Sequence, residues 1–304
     1  MAISRAQLVK ELEPGLNALF GLEYKQYENQ HAEIYTTESS DRAFEEEVML
    51  SGFANANVKV EGSGVAYDEA QETYTARYTH DTIALAFSIT EEAIEDNLYD
   101  RLASRYTKAL ARSMSNAKQV KAVTPLIQGL PSTDNFDSGD AVSLFSTNHT
   151  TVSGTAVKNT LTTQADLNET SLEQALIDIA GMTDERGIRV ASRGMKMVIP
   201  SANQFNAERL MKSPGRTGTA DNDINAVASM GMVPQGYRVN NFLTDTDSWY
   251  IITDVPNGMK MFQRAALKTA MEGDFDTGNV RYKARERYSF GVSDYRGIYG
   301  CEGA

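Results

Sequence analysis

Cysteine is nearly missing from this chain: of 304 residues, only Cys301 carries a thiol. That excludes an internal disulfide framework and any metal site built from several thiolates, and it fits a reducing compartment. Histidine is scarce as well. His31, His80 and His149 stand far apart, with no His or Cys at metal-ligand spacing, and each reads as an exposed or singly hydrogen-bonded side chain. No stretch approaches the roughly 20 apolar residues of a membrane span. The start, Met1-Ala2-Ile3-Ser4-Arg5, lacks the apolar run of a secretory signal, so the sequence reads as a soluble cytosolic product. Positive charge is in deficit too. Lys and Arg number 29 against 41 Asp and Glu, a formal net charge of −12. A uniformly acidic chain is poorly equipped to grip nucleic acid by its phosphates. Repeats of roughly 20–50 residues are also missing, which sets aside solenoids and propellers.

The motifs of chemistry are no better supplied. Asp221-Asn222-Asp223-Ile224-Asn225 opens like a calcium loop, but Ala226 stands where the glycine belongs and Met232 where the closing glutamate belongs. Ser213-Pro214-Gly215-Arg216-Thr217-Gly218-Thr219 is glycine-rich without the spacing or terminal lysine of a phosphate loop, and reads as a surface loop. Cys301 sits in a flexible-looking terminus with no activating partner. No Gly-x-Ser-x-Gly elbow is present, and the sequons at Asn148 and Asn168 are chance without a secretory signal. An enzyme finds no positive support, and neither a cofactor nor a metal is expected.

What is present is a distinctive order of elements. The first 50 residues carry ten acidic and four basic side chains, while 91–121 and 261–304 are close to neutral. Phe53 to Val60 and Tyr74 to Ile89 read as the two arms of a long β-hairpin broken at Glu61-Gly62-Ser63-Gly64. Its faces are polar for much of their length, so it is not stable alone and must lie on something else. A helix then starts near Thr90, a cap followed by Glu91, Glu92, Glu95 and Asp96 at the positive end of the dipole. Ile94, Leu98, Leu102, Tyr106, Leu110 and Met114 form its stripe, and it is expected over about 90–118, ending before Pro125. A second helix is expected over Thr170–Arg186, with Thr170 and Glu173 as capping box and Gly187 as stop. Strands over Met195–Pro200, Tyr237–Asn240 and Trp249–Thr253 follow, with a helix over Asn203–Lys212 and a strand-rich tail from Arg281 to Gly300. Helices and strands mix without a βαβ beat, so the fold class is α+β.

Several phrases in this order resemble the major capsid proteins of tailed bacteriophages, which share the HK-97-like fold. The Mu-like major head subunit group is the nearest resemblance. The phrases are Ala43-Phe44-Glu45-Glu46-Glu47, Glu91 to Tyr99, Leu144-Phe145-Ser146-Thr147-Asn148-His149, Thr183-Asp184-Glu185-Arg186-Gly187, Val198-Ile199-Pro200, Asp223-Ile224-Asn225, Asp247-Ser248-Trp249 and Asp294 to Gly300. Together they span about residues 40 to 300. The resemblance implies an N-arm over 1–50, an extended E-loop over 51–82, and a P-domain over 83–130 with a spine helix at about 90–118. An axial A-domain would cover 131–264, with P-domain return strands over 265–304. It implies a structural shell protein and no enzyme. Copies would assemble as hexamers and pentamers into an icosahedral virion head around double-stranded DNA, built in the host bacterial cytoplasm. Expected partners are itself, a separate scaffold, a portal and decoration proteins, with no membrane. Inter-subunit contacts are expected at Glu45, Glu46, Glu47, Lys59, Glu61 and Arg77, and at Arg105 and Arg112 on the helix. The acidic surplus would leave the inner wall weakly or repulsively charged, enclosing DNA without binding it. The competing readings are an encapsulin-type shell and, from another class, an enzyme or binding protein with an unrecognised pocket.

Overall fold

The structure is a computed structural model that describes residues 5–90, 92–93, 99–215, 223–274 and 278–304. Helix α1 (Arg5–Gln26) opens it, turning Leu16 and Phe20 into a core. This helix is invisible to a stripe search, because Pro14 lies within it and its apolar residues are scattered. Strand β1 (Thr36–Ser39) follows, then β2 (Phe44–Leu50) and β3 (Glu72–Thr79), which pair antiparallel as a two-stranded ribbon. The acidic phrase Glu45-Glu46-Glu47 is thus a strand, its side chains alternating between half-buried and exposed. The expected strand over Phe53–Val60 does not form. Within one subunit the ladder stops at Leu50 and Glu72, and residues 51–71 contain one turn at Glu61-Gly62 and no strand. Unpaired backbone cannot hold a strand by itself. The extended stretch from Tyr74 to Ile89 also divides at His80, and β4 (Asp81–Ile89) enters a different sheet.

Helix α2 (Tyr99–Gln128) is 30 residues long, about 45 Å at 1.5 Å per residue. Of its expected first turn, Glu91, Ile94, Glu95, Asp96 and Leu98 lie outside the described residues, as does the side chain of Leu102. Its end is ten residues later than expected. Pro125 costs one hydrogen bond in the last turn, whereas stopping early would expose Ala122, Val123 and Leu126, all buried. Its buried face also departs from the expected stripe. Tyr106 is 49% exposed, because steps of four drift around the helix. Ala103, Leu110, Ala111 and Met114 join α1 in one cluster, and Ala122, Val123 and Leu126 enter a second, larger one. Between these clusters the buried face turns by roughly a third of a circle.

The chain then forms the minimal hairpin of β5 (His149–Thr150) and β6 (Ala156–Val157), and helix α3 (Glu169–Gly181). Asn168, not Thr170, caps α3, exchanging hydrogen bonds with Ser171, and the helix ends at Gly181 rather than near Gly187. Leu172, Ala175, Leu176, Ile179 and Met182 are buried as expected. Strand β7 (Gly194–Ile199), helices α4 (Gln204–Lys212) and α5 (Ala226–Met230), and strands β8 (Tyr237–Val239) and β9 (Trp249–Thr253) complete this lobe. Most of the glycine-rich loop at 213–219, together with Asp221 and Asn222, lies outside the described residues. The long β10 (Met259–Gly273) and β11 (Val280–Val292) and the short β12 (Ile298–Cys301) close the chain. One sheet has the order β1-β10-β11-β4, the other β12-β9-β7-β8.

All three histidines are buried, against expectation. His31 packs beside α2, its backbone N–H donating to Gln119 Oε1 at 3.0 Å and its ring edge-on to Phe290. Burial, with Lys118 nearby, pushes its pKa down to about 4 from an ordinary 6.5. The unfolded chain therefore takes up this proton first as pH falls. Stability from the neutral ring is whole above pH 6.5 and is lost as pH falls to about 4, roughly 3 kcal/mol in all. We expect the urea midpoint of unassembled subunits to drop across that window, and the drop to be smaller in a His31→Gln variant. Equal acid sensitivity of the two proteins would remove His31 as its source.

Candidate assembly surfaces

The projecting ribbon is rooted by its own aromatic side chains. The Tyr78 ring packs edge-on to Phe262 at 4.8 Å, and its hydroxyl meets Ser293. Only glycine fits at 291, where a Cβ would lie 2.5 Å from the Tyr78 ring. Tyr74 stacks obliquely on Tyr295, with centroids 6.3 Å apart. Buried charges complete the root. Lys260, 5% exposed, holds Glu47 at 2.5 Å and Glu38 at 3.1 Å. Glu45 accepts from Ser40 at 2.6 Å, and the His80 ring bridges Ser40 and Ser289, each at 2.9 Å.

Arg296 ties this root to the central lobe. Its Nε donates to Asp294 at 2.9 Å, one Nη to the Thr183 carbonyl at 3.1 Å, and the other to Glu185 at 3.4 Å and the Met49 sulfur at 3.9 Å. Burial works against the guanidinium charge more than any one neighbour favours it, but Asp294, Tyr295 and Tyr74 together outweigh it and hold Arg296 above its ordinary pKa. For Glu185 burial wins over Arg296, and the carboxyl is pushed up.

Two of the phrases that carry the resemblance meet beside this knot. The His149 ring stacks on Tyr295 at 3.9 Å and contacts Asp140 at 2.6 Å and Asn159 at 3.2 Å. The Asn159 amide donates to the carbonyls of Leu144, Tyr295 and Ile298. Burial raises Asp140 most of any single cause, yet His149, Ser138 and the Val142 backbone together outweigh it and leave the carboxyl below its usual range. Cys301 is no loose thiol. It is fully buried in β12, donates to Gln164 Oε1 at 3.0 Å, and is raised by burial. No group of three or more His, Cys, Asp and Glu able to hold a metal occurs among the described residues. None of their helices is long and apolar enough to cross a membrane.

The expected contact residues fall into four settings. Glu45 and Glu47 are engaged inside the subunit, in the root. Glu46 and Arg77 face each other across the ribbon at 3.8 Å, with Arg77 over the Phe44 ring at 4.2 Å, and both are open to solvent. Lys59 and Glu61 stand exposed on the 51–71 loop with no ion pair among the described residues. On α2, Arg105 is exposed, and Arg112 lines a groove of about 630 Å³ with Tyr27, Glu28, Asn241 and Phe242. Sequence reasoning missed the apolar content of the loop. Phe53 (61% exposed), Val58 (93%), Val60 (70%), Val65 (67%) and Tyr67 (98%) all stand largely open to solvent. Their signal was legible as apolar residues recurring in a hairpin otherwise judged by its charges.

A long helix, a rooted ribbon with an uncovered loop, a central α/β lobe and long return strands define an HK97-like capsid fold. The procapsid of bacteriophage JBD30 superposes with a TM-score of 0.55 at 13% identity, covering 98% of this chain and 75% of that one. The capsid of Myoviridae phage XM1 gives 0.54 at 11% identity, with 89% of each chain covered. A virus-like particle from Pyrococcus furiosus gives 0.51 at 10%, over 94% and 97%. No curated protein sequence matches. Residues 72–300 match the sequence profile of the family described as "Phage capsid protein", and the chain belongs to that family. It is a major capsid shell protein of a bacteriophage. The Pyrococcus furiosus particle is similar in fold alone, whereas the family match is to phage capsid proteins. The comparisons do not single out the Mu-like subgroup.

Proposed function

We propose that copies of this chain form hexameric and pentameric capsomers that close into an icosahedral head around packaged double-stranded DNA. In this reading residues 1–50 are the N-arm, 51–82 the E-loop, 83–130 with 265–304 the P-domain, and 131–264 the A-domain. Scaffold and portal proteins are its assembly partners in the host cytoplasm, decoration proteins bind the finished shell, and no reaction is catalysed. One observation carries the reading: the 51–71 loop presents five large apolar side chains to solvent on a ribbon firmly rooted in the body. An uncovered apolar strip on a rigid root is a partner surface. Burying it against a neighbour would contribute on the order of 5–10 kcal/mol per subunit, multiplied around a closed shell.

Replacing residues 52–70 by a short Gly-Ser linker tests this. The root contacts of Tyr74, Tyr78 and Lys260 remain, so the expected product is a folded subunit that forms no closed shell in negative-stain images or sedimentation. Shells of wild-type size and yield would overturn the assignment of the loop.

A further inference from the structure

The turn at Thr183 to Gly187 carries a cation that the knot around Arg296 does not use. Glu185 is taken up by Arg296, but the next residue, Arg186, reaches the base of the 51–71 loop of its own subunit. One Nη donates to the Glu69 carbonyl and pairs with Asp68 Oδ1 at 3.7 Å. The Nε is buried without a hydrogen-bond partner, so every polar contact of this guanidinium among the described residues goes to the loop. Asp68 in turn ties the two limbs of the loop together. One carboxylate oxygen accepts from the Ala54 N–H at 2.7 Å on the outgoing limb, the other from the Glu69 N–H at 3.0 Å on the returning limb. From 55 to 67 the only hydrogen bonds among the described residues are those of Ser63 to the Val60 carbonyl. Arg186 itself stands on a stiff platform. Asp184 Oδ1 accepts from the N–H groups of Arg186 at 2.9 Å and Ile188 at 2.8 Å, and the Ser153 N–H donates to the Glu185 carbonyl at 3.0 Å. A rigid turn of the central lobe thus grips, at its base, a loop that has little else to hold it.

We propose that Arg186 is a positioning residue for assembly, a clamp inside the subunit that aims the loop before it meets a neighbour. The inference rests on the loop's reading as an assembly element and adds the residue that directs it. A long loop without secondary structure samples many directions, and docking has to freeze them. Fixing its base beforehand removes part of that entropy cost, so an aimed loop binds more tightly than a free one with the same contacts. Arginine suits the task, because its planar fork can hold a carbonyl and a carboxylate together, whereas a lysine ammonium is a single point of charge. An ion pair this open to solvent contributes little alone, and the charge-assisted hydrogen bond to the Glu69 carbonyl adds to it. The rival role for the same contact is a brake that holds the loop back from its neighbour. The two differ in sign, and the experiment separates them.

Amide exchange in the unassembled subunit reads the clamp directly, since the Ala54 and Glu69 N–H groups are the ones Asp68 holds. In Arg186→Ala both are expected to exchange about threefold to tenfold faster, with Arg186→Lys in between. Arg186 lies outside the hydrophobic clusters, so thermal melts of the variant should match the wild type. The protein concentration at which shells first appear should rise about threefold or more in Arg186→Ala. Asp68→Ala should raise it as well, and the double variant should be no worse than Asp68→Ala alone, because both changes remove one clamp. Three results would overturn the proposal: unchanged exchange at Ala54 and Glu69, an unchanged assembly threshold, or effects of the two substitutions that simply add. A lowered threshold would overturn it too and make the contact a brake. Each of these leaves the loop's assembly role standing. A wild-type chain that forms no shell would instead bring down the assembly reading, and this proposal with it.

Discussion

Substituting Gly297 by alanine is expected to abolish shell formation and to destabilise the subunit by at least about 3 kcal/mol. The reason is backbone contact. A Cβ at 297 would sit 2.3 Å from the Gly258 Cα, and one at 258 would sit 2.7 Å from the Gly297 Cα. Neither neighbour is the movable end of a side chain. The turn that carries Asp294 to Gly297 would have to lift away from the start of β10, taking Arg296 and the Tyr295–His149 stack with it. A Gly181→Ala variant is the internal control. Nothing lies within 4 Å of a Cβ there, and the residue closes α3, so alanine should be neutral or stabilise by about 0.5–1 kcal/mol. Urea melts of the three proteins decide the matter. A Gly297→Ala midpoint within error of the wild type would refute the close crossing.

Arg296→Met is the second large effect, expected at about 3–5 kcal/mol. Methionine retains much of the volume and leaves Asp294 and Glu185 buried without their cation, so the loss comes from two uncompensated carboxylates. Arg296→Lys should recover only part, since an ammonium cannot reach Asp294, Glu185 and the Thr183 carbonyl together. Charge and packing are separable by pH. Burial already pushes Glu185 above its ordinary range, and removing the guanidinium pushes it further. A carboxyl raised in the folded state costs stability where it must ionise and costs nothing once protonated. The deficit of Arg296→Met should therefore be largest near neutrality and shrink as pH falls into the carboxylate range. A deficit independent of pH would assign the effect to packing alone.

The α+β class, most strands of the central lobe, the stripe of α3 and the family were legible from residues 40 to 300. What failed did so for identifiable reasons. Phe53 to Val60 has the alternation of a strand, but alternation reports side-chain preference and not the presence of a partner ladder, which one subunit does not supply. Tyr106 was placed in the core by a step of four that holds for only part of a long helix. Pro125 looked like a stop, yet the burial of Leu126 outweighed one lost hydrogen bond. The histidines read as exposed or singly hydrogen-bonded because their partners are not at a fixed spacing: Asp140 and Asn159 flank His149 from either side, and Ser40 and Ser289 reach His80 from distant chain. Among the contact candidates, Glu45 and Glu47 looked like neighbours of Glu46 in a single charged run. A strand sends alternate side chains to opposite faces, so only Glu46 is left exposed.

The shift of the buried face along α2 has a mechanical consequence. A rod gripped on one side at one end and on another side at the other cannot slip along its axis or roll without unseating one grip. Twist applied to the lobe that holds Ala122, Val123 and Leu126 would then reach the sheet that holds Leu110 and Met114 as rotation rather than sliding. In the proposed shell, the two lobes of a subunit would turn together rather than slide past one another.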